Sequence, residues 1–297
     1  MKKIISKALF TFIAVSALLI PGSAKAQILY KVEKPGNSRV SYILGTHHFA
    51  PLAVVDSLKS LPEALANVDV LYGELDMAKS TSPEAIVVMQ KAYMAPADST
   101  LDKVLSPAAL DSLKTVWDDL TQGQVPLQMI YPMKPSAIST QIAAALAMKA
   151  FPQLNPLEGI DKTMQDRALA LGKKVDGLET LDYQLNVLMG DPISEQAKGL
   201  MKMVGDINGE IENTKKLSEA YVAGDLAAME KLMLDESEDP ESMERLIFKR
   251  NDAWAKRIIP EMPEKSMMVV VGAGHLPGER GLLTQLRNAG FTVTPLN

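Results

Sequence analysis

Short apolar runs at the two ends of the chain enclose a long middle of amphipathic stretches. Ile28–Glu33 and Arg39–Leu44 flank Pro35-Gly36-Asn37 and predict a β-hairpin. Val68–Leu75 and Lys174–Leu178 are short runs that end in acidic residues. Met267–Val271, five consecutive apolar residues before Gly272, has the pattern of a strand buried on both faces. Phe291–Leu296 reads as a last strand. Helical periodicity fills the rest: Pro83–Tyr93, Pro107–Leu120, Pro135–Ala150, Asp161–Leu171 before Gly172, Leu181–Met189, Gly209–Val222, Leu226–Leu234, Pro240–Ile259 and Gly278–Ala289. Strands separated by helices predict an α/β fold, a mixed β-sheet core covered by helices, with a large helical middle region. The stretch around 190–260 reads as an inserted or lid-like subdomain. No clean linker breaks the pattern, so 27–297 is expected to form a single domain.

The first segment differs from all of these. Lys2, Lys3 and Lys7 precede the apolar stretch Leu9–Ile20, and Ala24-Lys25-Ala26 has the small-x-small form of a cleavage site. Residues 1–26 therefore read as a secretory signal peptide. The apolar stretch is shorter than the ~20 residues that span a bilayer. An exported protein is expected, periplasmic or secreted, with no transmembrane helix after signal cleavage.

Composition narrows the chemistry. The 297 residues are 47% hydrophobic and 23% charged, an ordinary globular balance. With no Cys, neither a disulfide framework nor thiolate chemistry is available. The net charge is −5; removing Lys2, Lys3, Lys7 and Lys25 leaves 27 basic against 36 acidic residues, or −9. No nucleic-acid partner is expected from that balance. The 17 Met read as core filler.

All 3 His follow predicted strands in two similar places, Gly45-Thr46-His47-His48 and Gly272-Ala273-Gly274-His275. Both fit Gly-x-x-His. Ligands of α/β sheets gather at the carboxyl ends of strands, where Gly lets the backbone turn and a ligand approach. Glu74 and Glu179 stand at equivalent strand ends. Imidazole and carboxylate together suit a divalent metal. On spacing alone, Arg250 and Asn251 read as helix surface and Asp161 as an N-cap. There is no P-loop, no His-Glu-x-x-His, no nucleophile elbow and no local signature of a Ser/His/Asp triad.

Tyr42-Ile43-Leu44-Gly45-Thr46-His47-His48 and Val271-Gly272-Ala273-Gly274-His275-Leu276-Pro277-Gly278-Glu279-Arg280-Gly281 resemble the TraB/GumN family, which includes the Tiki metalloproteases. Gly159-Ile160-Asp161, Gly177-Leu178-Glu179-Thr180, Gln184, Gly224-Asp225-Leu226 and Arg250-Asn251-Asp252-Ala253-Trp254 look like its middle blocks. The resemblance spans nearly all of the chain after residue 26. It implies a fold related to the erythromycin esterase/ChaN-like group. It also implies a metal-dependent hydrolase, a Tiki-like peptidase acting on a peptide or protein substrate. Carried onto this chain, it makes His48, His275 and Glu74 ligands of a divalent metal (Mn, Co or Zn). Glu74, Glu179, Arg250 and Asn251 become the catalytic set, with Glu74 or Glu179 as general base and Arg250 facing an oxyanion. His47 falls at a variable position. Two other readings follow from the same resemblance: a non-catalytic metal or haem-iron binding protein, and an accessory protein of surface polysaccharide export.

Overall fold

A computed structural model describes residues 27–152, 159–236 and 240–297. The proposed signal segment, residues 1–26, lies outside the described residues. Six strands, β1 (Leu29–Glu33), β2 (Val40–Thr46), β3 (Val70–Gly73), β4 (Lys174–Gly177), β5 (Met267–Gly272) and β6 (Thr292–Leu296), form one sheet in the order β4-β3-β5-β2-β1-β6. The fold is α/β, as expected. β4, β3, β5 and β2 run parallel, while β1 lies antiparallel to β2 and to β6. The hairpin forms as expected, with Gly36 at φ +79° in its turn.

The apolar run of β5 explains its place in the middle. Met267 through Val271 are fully buried, because helices cover both sheet faces. Tyr72 points to one face, where the ring lies under Arg257 and the hydroxyl donates to Glu261 on the helix Lys249–Glu261. Gly73 points to the other, where a Cβ would meet Gln165 of the helix Ile160–Ala170. A second hydrophobic core lies among helices alone. Leu113, Trp117, Ile138, Ile142, Leu146 and Leu200 join Pro107–Thr121, Pro135–Ala150 and Ile193–Gly205.

Four helical expectations need correction. The stretch 190–260 is not one subdomain: Ala197, Leu200 and Val204 belong to the helical core, while Tyr221, Met229 and Trp254 belong to the sheet core. The helix expected over Pro240–Ile259 contains a π-helical turn, Glu244–Phe248, immediately before Lys249–Glu261. The helix expected from Gly278 starts only at Leu282, since Gly278 takes φ +88°. Asp161 does not cap its helix; Gly159 holds that position, and the Asp161 carboxylate turns to the sheet instead.

The helix Ile207–Ala223 ties the helical middle to the end of β2. The buried Tyr221 hydroxyl donates to the Gly45 carbonyl at 3.0 Å. Tyr221→Phe leaves that carbonyl without this donor and is expected to cost about 1–2 kcal/mol in urea unfolding, with near-native circular dichroism.

Candidate functional site

The four parallel strands end side by side, and each end carries one of the singled-out side chains or leads directly to it. Glycines make the junction possible. A Cβ on Gly45 would lie 2.8 Å from Leu276 Cδ1 and 3.1 Å from the Ala273 backbone, so the first Gly-x-x-His can pack directly on the second. A Cβ on Gly272 would lie 3.3 Å from Glu74 Oε1, the atom to which the Gly272 N–H donates at 2.8 Å.

Arg250 stands at the centre, its side chain 7% exposed. Nε donates to Glu179 Oε2 at 3.1 Å. Nη2 donates to Glu179 Oε1 at 2.8 Å and to Glu74 Oε2 at 2.5 Å. Nη1 reaches the Leu246 carbonyl at 3.0 Å and His275 Nε2 at 3.1 Å. Trp254, four residues on and so on the same helical face, stacks under the guanidinium and donates its indole N–H to Glu179 Oε2 at 3.1 Å. Gln184 Nε2 donates to both carboxylates, at 3.1 Å each. Among the described residues no buried side-chain N or O lacks a partner.

The hydrogen bonds fix the state of His275. Asn251 Nδ2 donates to the carbonyls of His275 and Arg280, so its Oδ1 is the acceptor that faces His275 Nδ1 at 2.7 Å. Nδ1 therefore carries the proton and Nε2 presents a lone pair. Burial supports this neutral form by lowering the His275 pKa to about 4. Glu74 Oε1 lies 3.8 Å from Nε2, so two acceptors face each other there. Burial alone would raise the Glu74 pKa; the Arg250 guanidinium and the Gly272 N–H act against it and keep the carboxylate ionised. For Glu179 burial prevails over Arg250, and its pKa is raised.

Glu74, Glu179, Arg250, Asn251 and His275 are thus brought together. His48 is not. Its ring is 75% exposed, and its Nδ1 faces Asp161 Oδ2 at 3.6 Å, while Asp161 Oδ1 accepts from the Thr46 hydroxyl at 2.9 Å. Asp161 raises the His48 pKa, and His48 remains close enough to Glu74 and Arg250 to feel their charges. His47 turns away. Its Nδ1 accepts the Phe49 N–H, so its Nε2–H is the donor to Ser218 Oγ at 3.2 Å. That proton direction is the reverse of what a base activating a serine needs.

Gln184 and Trp254 were not among the expected site residues. The i,i+4 relation to Arg250 could have found Trp254. Nothing in the spacing singles out Gln184.

The donors suit a divalent cation in chemistry, since the His275 tautomer leaves Nε2 free of a proton beside a carboxylate oxygen. Among the described residues, however, no three His, Asp or Glu side chains converge as they would around a bound ion. The guanidinium of Arg250 is the cation that joins the carboxylates here.

A six-stranded sheet with a buried Arg–carboxylate–His cluster at the carboxyl ends of its parallel strands defines an α/β protein with a site at the strand ends. Residues 28–295 match the TraB/PrgY/gumN family, and the chain belongs to that family. No curated protein and no solved structure matches it. No helix among the described residues is long and apolar enough to cross a membrane.

Replacing Arg250 by Met keeps much of its volume but strands two buried carboxylates. The expected loss is about 3–5 kcal/mol of unfolding free energy at neutral pH. The tautomer is checked separately. ¹⁵N NMR of the wild type should show His275 with the proton on Nδ1, and Asn251→Leu should abolish that preference.

Proposed function

We propose that the chain is an exported, metal-dependent hydrolase of the Tiki-like kind, acting on a peptide or protein. The observation that carries this reading is the His275 Nε2 acceptor, fixed by Asn251, bonded by Arg250 Nη1 at 3.1 Å and set 3.8 Å from Glu74 Oε1 at the strand ends. His275, Glu74 and His48 would hold a divalent cation (Mn, Co or Zn). Bound there, the ion would polarise a carbonyl and lower the pKa of a water from 15.7 towards ~7.

The chain's own residues supply the rest. Arg250 stays charged at every working pH and can move an Nη2 bond from a carboxylate to the oxyanion that forms as water attacks a carbonyl. Glu179, freed of that bond and with its pKa already raised by burial, takes the proton of the attacking water. It then returns the proton to the leaving amine. Gln184 and Trp254 hold Glu179 in place throughout. A cavity of about 480 Å³ reaches Glu179 from the surface.

Elemental analysis of the protein expressed with its leader tests the assignment. The wild type should retain close to one equivalent of metal, and His48→Ala and His275→Ala should each lose it while remaining folded. Metal content unchanged in both variants overturns the ligand set. Peptide-library cleavage with added Mn or Co should fall by at least about 100-fold in Glu179→Gln.

A further inference from the structure

β4 is the open edge of the sheet, and a trough follows it. About 1020 Å³ of it lies beside Lys174, Val175 and Asp176. The cavity of about 480 Å³ continues from Asp176 and Gly177 to Glu179, the two spaces sharing Lys79 and Asp176.

The backbone of β4 has a free side. The Leu178 N–H donates to the Gly73 carbonyl, so Leu178, Asp176 and Lys174 face β3, and Val175 and Gly177 face outward. The groups of Gly177 are taken: its N–H donates to Asp176 Oδ1, and its carbonyl accepts from Arg257. Those of Val175 point along the open edge with no partner among the described residues. They are spaced to pair with one residue of an extended chain.

Charge selects the kind of chain. Five cations, Arg39, Lys79, Lys173, Lys174 and Lys265, line the larger space against Asp69 and Asp176, in a protein of net charge −5. Several are matched by carboxylates: Arg39 by Asp69, Lys79 by Asp76, and Lys265 by Glu261. Lys173 donates to the Ala66 carbonyl, and among the described residues neither Lys173 nor Lys174 has a carboxylate partner. Their two charges sit at the end of the trough away from Glu179.

We propose that this edge is the docking surface for an extended polypeptide segment carrying acidic side chains. The segment pairs its backbone with Val175, sets its carboxylates against Lys173 and Lys174, and leads towards Glu179. The proposal rests on the hydrolase reading for what happens at Glu179, but the docking stands apart from turnover. A lysine-bearing edge that only repels other strands would show none of this.

The test is fluorescence polarisation with the full chain at low ionic strength. The probe is a labelled peptide whose distal half is rich in glutamate. Two controls accompany it: the same peptide with lysine for glutamate, and the same peptide N-methylated at alternate residues. The glutamate peptide should bind. Lys173→Glu/Lys174→Glu should weaken it by about tenfold, Lys174→Glu alone by about threefold, and N-methylation by about fivefold. Circular dichroism should match the wild type for both variants, whose changed residues lie at the surface. Equal binding to wild type and double variant, equal binding of the N-methylated peptide, or no binding of any peptide overturns the proposal. Binding as expected without cleavage under any added metal sinks the hydrolase reading and leaves the docking surface standing.

Discussion

A single buried guanidinium holds together the carboxyl ends of this sheet's parallel strands. Arg250 brings a full charge into a place where burial costs several kcal/mol, and the cost is offset only by the geometry around it. Two carboxylates from neighbouring strand ends, a carbonyl from its own helix and an imidazole lone pair take its donors. Each partner then depends on Arg250 in turn. Glu74 and Glu179, close enough to share one Nη2 and one Gln184 amide, could not both stay ionised there without it.

The cluster also shows why the glycines stand where they do. The loop after β5 crosses the end of β2 at a distance that excludes a side chain on Gly45. The carboxylate of Glu74 sits on the backbone N–H of Gly272. The fold thus uses missing side chains to bring two charged elements within hydrogen-bond reach. Tyr221 and Ser218 fix the β2 end from the helical side, so the loop bearing His47 and His48 is held on two sides while the His48 ring stays exposed.

Much of this was legible in the residues. The five apolar residues of β5 announced a central strand, because only a strand covered on both faces can bury them all. The paired Gly-x-x-His motifs and the acidic strand ends led to Glu74, Glu179 and His275 at one site. The rest depended on proton directions and helical phase, which no one-dimensional pattern carries. Asp161 looked like a cap because it stands near the start of a helix; the Thr46 hydroxyl and the His48 ring draw it elsewhere. By spacing Gln184 was any polar residue in a first helical turn; the family resemblance picked it out but gave it no role. On spacing alone Arg250 read as surface, because an Arg on a helix is normally solvated; the family resemblance already placed it among the site residues, and the packing of that helix against the sheet shows how it comes to be buried there.

The π-helical turn Glu244–Phe248 sets that helical phase. It holds one residue more than an α-turn spanning the same rise. Removing one residue from it would turn the segment before Lys249 by about 100° relative to the segment after it. The ties of Arg245 to Asp191 and of Glu244 to Arg280 come from the first two residues of this turn, while Arg250, Asn251 and Trp254 lie after it. Both sets can be satisfied together only at the present spacing. The spacing between those tied residues and Lys249 keeps the guanidinium aimed at the strand ends.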